Sequence, residues 1–179
     1  MKDHLYEETV KSTNIYKGKI VDLNLLDVRL PNGKDGKREV INHPGAVAVI
    51  ALTEDNKLVL VRQFRKPLEK HLVEIPAGKL EEGEDPSVTV ARELEEETGY
   101  KAKEFQKITS FYTSPGFADE LVHIYEAKGL LAGTAGTDED EFVDVMEVTL
   151  EEAEDLMEKQ EIHDAKTAYA LQFLKLRLC

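Results

Sequence analysis

A short stretch between Gly78 and Tyr100 holds residues that could do chemistry together. In GKLEEGEDPSVTVARELEEETGY, the residues Glu84, Arg92, Glu93, Glu96, Glu97 and Gly99 stand at fixed offsets from Gly78. Glu93, Glu96 and Glu97 follow i, i+3, i+4 spacing, which puts three carboxylates on one face of a helix. Like charges at that spacing repel by roughly 0.2–0.5 kcal/mol per pair. A glutamate run seen alone reads as a solvated acidic face. A hard divalent cation would relieve the repulsion, and Mg²⁺ prefers carboxylates combined with retained water and substrate phosphates. Arg92 and the two bounding glycines come with the run, and they favour the metal site.

The elements that must position these groups are legible around them. Asp85 is a good N-cap, Pro86 a good first helical residue, and Gly99 suits the left-handed residue that ends a helix. The chain between them is expected to form a helix of about three turns. Val90 and Leu94 fall on another of its faces and should pack on a sheet. Upstream, residues 15–43 alternate in strand fashion, with Ile20, Leu23, Leu25 and Val28 apolar and a turn at Pro31-Asn32-Gly33. GAVAVIAL, residues 45–52, reads as a buried strand, and Glu54 to Lys57 should turn it into LVLVRQF, residues 58–64, as a hairpin. Residues 72–75, 107–112, 121–126 and 143–148 read as further strands. Thr149 with Glu152 forms a capping-box pattern for a helix to about Gln160, and Asp164 should cap a last helix whose apolar face is Ala168, Leu171, Leu174 and Leu178. This order predicts an α+β protein, a mixed sheet sandwiched by helices as an α/β/α arrangement.

Length and charge narrow the function. A chain of 179 residues suits one core-bearing domain. Lys and Arg number 23 against 36 Asp and Glu, a net charge of −13, which argues against nucleic acid or an anionic membrane as partner. The single cysteine, Cys179, leaves no intramolecular disulfide and no thiolate metal cluster. MKDHLYEETV has no apolar core of a signal peptide, and no 18-residue apolar stretch occurs, so a cytoplasmic protein is expected.

The pattern G-x5-E-x7-R-E-U-x-E-E-x-G-U, with U a bulky apolar residue, is filled at every polar and glycine position; Leu94 and Tyr100 take the apolar slots. It resembles the signature of the Nudix hydrolases. Pro115, within Ser114-Pro115-Gly116 and 15 residues beyond Tyr100, resembles the downstream mark of the ADP-ribose pyrophosphatase branch. GKREVINHPGAV (residues 36–47), VRQFR (61–65) and TDEDE (137–141) resemble the same branch, so the resemblance covers nearly the whole chain. It implies the Nudix sandwich fold and division into an N-terminal β-rich segment, residues 1–43, that crosses to a partner in a homodimer, and a Nudix domain, residues 44–179.

The resemblance also implies roles. Glu93 and Glu97 would be metal ligands with the carbonyl of Ala77, and Glu96 a ligand or a partner behind them. Arg92 would hold the glutamates. Glu141 would contact a metal or activate water, with Glu139 the rival base. Arg38 would meet the adenine end of the substrate and Arg65 the phosphates or terminal ribose. The branch commonly stacks an aromatic ring on adenine, but that position here is Lys19; Tyr16 or Arg38 would substitute. The expected reaction is Mg²⁺-dependent cleavage of ADP-ribose to AMP and ribose 5-phosphate, with Mn²⁺ able to replace Mg²⁺. The alternatives are a Nudix enzyme for another nucleoside diphosphate derivative, a catalytically silent nucleotide-binding relative, and a metal-binding scaffold.

Overall fold

The computed structural model describes residues 3–81, 83–133, 136 and 142–178. By backbone proximity these sort into two units, one holding residues 3–45 and 112–121 and the other 46–111 and 122–178.

In the first unit the alternating segment becomes an antiparallel meander of β1 (Glu8–Lys17), β2 (Asp22–Arg29) and β3 (Asp35–Asn42). The turn read from Pro31-Asn32-Gly33 joins β2 to β3. Gly33 donates its N–H to Leu30 O at 2.8 Å with φ +81°, a conformation glycine adopts without steric cost. Val28 is buried, Leu23 and Leu25 are half-buried, and Ile20 is exposed. All of β1 is exposed within the chain. A line of amide side chains crosses the meander: Asn14 donates to Asn24 (3.1 Å), Asn24 to Asn42 (2.8 Å) and Asn42 to Asp119 (2.6 Å). Ile41 N–H donates to Phe117 O, and Asp119 N–H to Ile41 O. These bonds fasten the 114–118 turn, which carries Pro115, to the end of β3.

The second unit is built on β4 (Ala46–Ala51), β5 (Leu58–Arg65), β6 (Lys70–Glu74), β7 (Ala77–Lys79), β8 (Tyr100–Tyr112), β9 (Leu121–Ala132) and β10 (Val143–Val148). They form two sheets, β7-β4-β9-β8 and β10-β5-β6, with β4 and β9 parallel. Val47, Val49 and Ala51 of β4 enter one core with Val59, Val90 and Leu94. Ala48 and Ile50 enter another with Ile124, Ile162, Leu171 and Leu174. A strand covered on both faces needs no polar side, which is why residues 45–52 read as one continuous apolar run. Helix α1 (Pro86–Thr98) contributes to the first core; α2 (Leu150–Glu158) and α3 (Ala165–Leu178) contribute to the second. The result is the mixed-sheet α+β sandwich expected from the element order. Among the described residues no helix is long and apolar enough to cross a membrane.

The expected hairpin of β4 and β5 does not form. A single bridge, Leu52 with Leu58, joins them before they part into different sheets. Both edges of β4 are already taken, by β7 and by β9, so β5 pairs with β6 and β10 instead. β8 and β9 also run longer than expected, because Lys101, Lys103 and Glu104 hid the start of β8 behind a polar composition. The capping box of α2 is present: Thr149 Oγ1 accepts from Glu152 N–H, and Glu152 Oε2 accepts from Thr149 N–H.

Candidate active site

Helix α1 starts and stops where its end residues dictate. Asp85 Oδ1 accepts from Ser87 N–H at 2.8 Å, Pro86 follows, and Gly99 closes the helix at φ +70° with its N–H on Glu95 O. Thirteen residues between these caps fix which side chains share a face. Val90 and Leu94 are fully buried against the sheet and set the rotation of the helix. That rotation carries Glu93 and Glu97 inward as well.

The three glutamates are therefore not the exposed acidic face that their spacing alone suggested. Glu93 is 8% exposed and Glu97 4%. Glu97 Oε2 accepts the N–H of Ala77 at 2.9 Å. Glu93 lies over Gly78: a Cβ placed there would sit 1.9 Å from the Glu93 carboxyl carbon. Two carboxylates thus rest on consecutive residues of β7. Glu96, less buried, accepts from Arg92 Nη1 at 2.8 Å. Arg92 also lies 3.0 Å from Glu93 and 3.6 Å from Glu84, whose Oε2 is fixed by the Thr89 hydroxyl at 2.8 Å. Burial opposes the Arg92 charge, but Glu93, then Glu96 and Glu84, outweigh it and raise its pKa above the usual arginine value. Arg92 stays cationic, and it relieves the repulsion that the run would otherwise carry.

A bound divalent metal is the test of this geometry. Buried carboxylate oxygens beside a backbone that leaves no room for a Cβ suit a hard, oxygen-seeking cation in kind. Among the described residues no three His, Cys, Asp or Glu side chains gather to hold a metal by themselves. Glu139 and Glu141, expected to add a carboxylate, lie outside the described residues.

Arg65, at the end of β5, is bound side-on to Glu74 of β6: Nε donates to Oε1 at 2.6 Å and Nη2 to Oε2 at 2.7 Å. The charges of Glu74, Glu97 and Asp164 raise its pKa against the opposing effect of burial, with the Glu74 hydrogen bond the largest cause. Tyr16, Arg38 and Pro115 belong to the other unit. There Arg38 Nη2 donates to Glu7 at 2.5 Å and Nη1 to Lys37 O at 2.8 Å, and the Tyr16 side chain is exposed. Glu74 was missed from the sequence. The available signal was a charged residue inside the short strand run HLVEI.

The family model of the NUDIX domain matches residues 42–171, and that of the nucleoside diphosphate sugar hydrolase N-terminal domain matches residues 7–41. The chain belongs to the Nudix hydrolases and is a pyrophosphatase of that family, acting on a small-molecule substrate. Hydrolases of this family generally depend on a divalent metal. It is 60% identical over 175 residues to the ADP-ribose pyrophosphatase of Bacillus subtilis (strain 168), covering 97% of this chain and 95% of the relative. It is 57% identical to the methanol dehydrogenase activator of Bacillus methanolicus, covering 96% and 94%. A crystal structure of an ADP compounds hydrolase superposes with a TM-score of 0.86 at 20% identity, over 99% of this chain and 97% of that one, a likeness of fold.

Proposed function

We propose that this protein hydrolyses the diphosphate linkage of ADP-ribose, giving AMP and ribose 5-phosphate. The observation that carries the reading is the 60% identity, over nearly the whole of both chains, to a relative named for that activity. Mg²⁺ is the proposed metal, with Mn²⁺ able to substitute. Glu93, Glu97 and the Ala77 carbonyl would hold it, with Glu96 as a further ligand or partner. When bound, such a metal neutralises diphosphate oxygens and lowers the pKa of coordinated water. Arg92 keeps Glu93 and Glu96 oriented. Arg65 contacts the phosphates or terminal ribose, Arg38 and Tyr16 belong to the adenine end of recognition, and Pro115 is a further substrate-binding residue. The test is product analysis with Mg²⁺ present and then chelated. AMP and ribose 5-phosphate are expected in the first case only; equal turnover after chelation would sink the proposal. The match of residues 7–41 to an N-terminal domain of nucleoside diphosphate sugar hydrolases favours one second reading, a nucleoside diphosphate sugar as substrate. A substrate panel ranks the two.

Glu141 is proposed to take the proton from the attacking water, with Glu139 the rival. General-base help is worth roughly 10²–10⁴-fold, so Glu141→Gln should lower kcat on that scale with KM little changed. A crippled Glu139→Gln beside an active Glu141→Gln would reverse the assignment.

The protein is proposed to be a cytoplasmic homodimer in which residues 1–43 pair with a second copy. The support is β1, exposed along its whole length, with Val10, Ile15 and Tyr16 uncovered by the chain's own residues. Sedimentation at micromolar concentration should give twice the 20.2 kDa chain mass. A monomer-sized species alone would refute the pairing.

A further inference from the structure

We propose that Glu74, Lys166 and Asp164 form a mount that aims the Arg65 guanidinium at an anionic group of the substrate. The inference rests on the reading of Arg65 as a substrate contact and names what positions it. Glu74 is 1% exposed, so its charge must be paired. Lys166 Nζ bonds its Oε2, and the same ammonium reaches Asp164 Oδ1 at 2.9 Å. Burial would raise the Glu74 pKa, but Arg65 and Lys166 hold it at about 2. Lys166 is itself largely enclosed, with its side chain 15% exposed, whereas the Arg65 side chain is 39% exposed.

The two cations differ in what they have left to offer. Lys166 is turned inward onto two carboxylates. Arg65 spends only its Nε and one edge of Nη2 on Glu74, so its end-on fork of Nη1 and Nη2 faces away from the carboxylate. A planar fork of that kind matches two oxygens of one phosphate. Val61 pairs with Glu74 across β5 and β6, so Arg65, four residues on, shares the face of Glu74. The connection from α2 and the first turn of α3 are fastened to the backbone on either side of Glu74. Val73 N–H donates to Glu161 O at 2.9 Å, and Ile75 N–H to Thr167 Oγ1 at 2.9 Å. Those bonds set the register that brings Lys166 to Glu74. The mount thus removes rotamer freedom from Arg65 before substrate arrives, which lowers the cost of binding.

The test is a kinetic double-mutant cycle on the full-length enzyme, with ADP-ribose or the nucleoside diphosphate sugar it turns over best. Lys166→Met is expected to raise KM about tenfold and change kcat by less than about threefold. In an Arg65→Ala background the same substitution should raise KM by less than about twofold, because the side chain it positions is gone. If Lys166→Met lowers only the melting temperature, or raises KM equally in both backgrounds, the mount is overturned and Arg65 keeps its own role. If Arg65→Ala alone leaves KM and kcat unchanged, the substrate-contact reading of Arg65 fails, and the mount with it. Should Lys166→Met not fold, Asp164→Asn, which loosens Lys166, takes its place with the same expectations.

Discussion

Glu97→Gln is expected to abolish most turnover while the protein keeps its fold. Glu97 is 4% exposed, and its Oε2 accepts the N–H of Ala77 at 2.9 Å. Glutamine has the same length and can present its amide oxygen to that N–H. The substitution also removes one negative charge four residues from Glu93, which lowers the repulsion of that pair by roughly 0.2–0.5 kcal/mol. Neither change threatens α1, whose caps at Asp85 and Gly99 are untouched. What is lost is an anionic oxygen for a divalent cation. Removing a group behind a metal ligand costs roughly 10–100-fold, so removing a ligand should cost at least that. A melt monitored by circular dichroism should move by less than about 4 °C. Activity within about threefold of wild type at saturating Mg²⁺ would take Glu97 out of the metal-holding set.

The legible and illegible parts of this chain divide along a physical line. Local signals carried through to the structure: the caps of α1, the capping box of α2, the Gly33 turn, and the apolar run of β4. Each is fixed by residues within a few positions of one another. Two outcomes depended on distant partners instead. Whether Glu93 and Glu97 face solvent is decided by how Val90 and Leu94 seat α1 on the sheet, and spacing alone leaves the acidic face exposed. Whether β4 pairs with β5 is decided by β9, more than 70 residues further on, which occupies the edge a hairpin would need. The same holds for Glu74, whose partners Arg65 and Lys166 are nine and 92 positions away. A lone glutamate in an apolar strand signals that a cation must come from somewhere, without saying from where.

Gly78→Ala is expected to be nearly as damaging as the loss of a ligand, although it adds one methyl group far from any titrating atom of its own. The reason is space, not backbone conformation, since Gly78 is absent from the glycines with positive φ. Its Cβ would stand 1.9 Å from the Glu93 carboxyl carbon and 2.0 Å from Oε1. Ordinary contact begins at 3.4 Å, so the carboxylate must retreat by about 1.5 Å or the β7 backbone must yield. β7 is held by pairing with Val47 and Ala48, so the flexible glutamate is the part that moves. Arg92, 3.0 Å from Glu93 and itself held by Glu96, remains within reach of the displaced carboxylate and keeps it paired. The fold should therefore survive with a melting temperature lowered by only a few degrees. Misplacing a positioned group by about 1 Å can cost around 10²-fold, and kcat is expected to fall by that order. The apparent Mg²⁺ requirement should rise in parallel, read as a shift in the metal dependence of turnover. Pairing the change with Glu93→Ala separates the two effects: the double variant should recover the wild-type melting temperature and recover none of the activity. A Gly78→Ala enzyme with unaltered kcat and metal dependence would mean that the position of Glu93 over Gly78 has no part in catalysis.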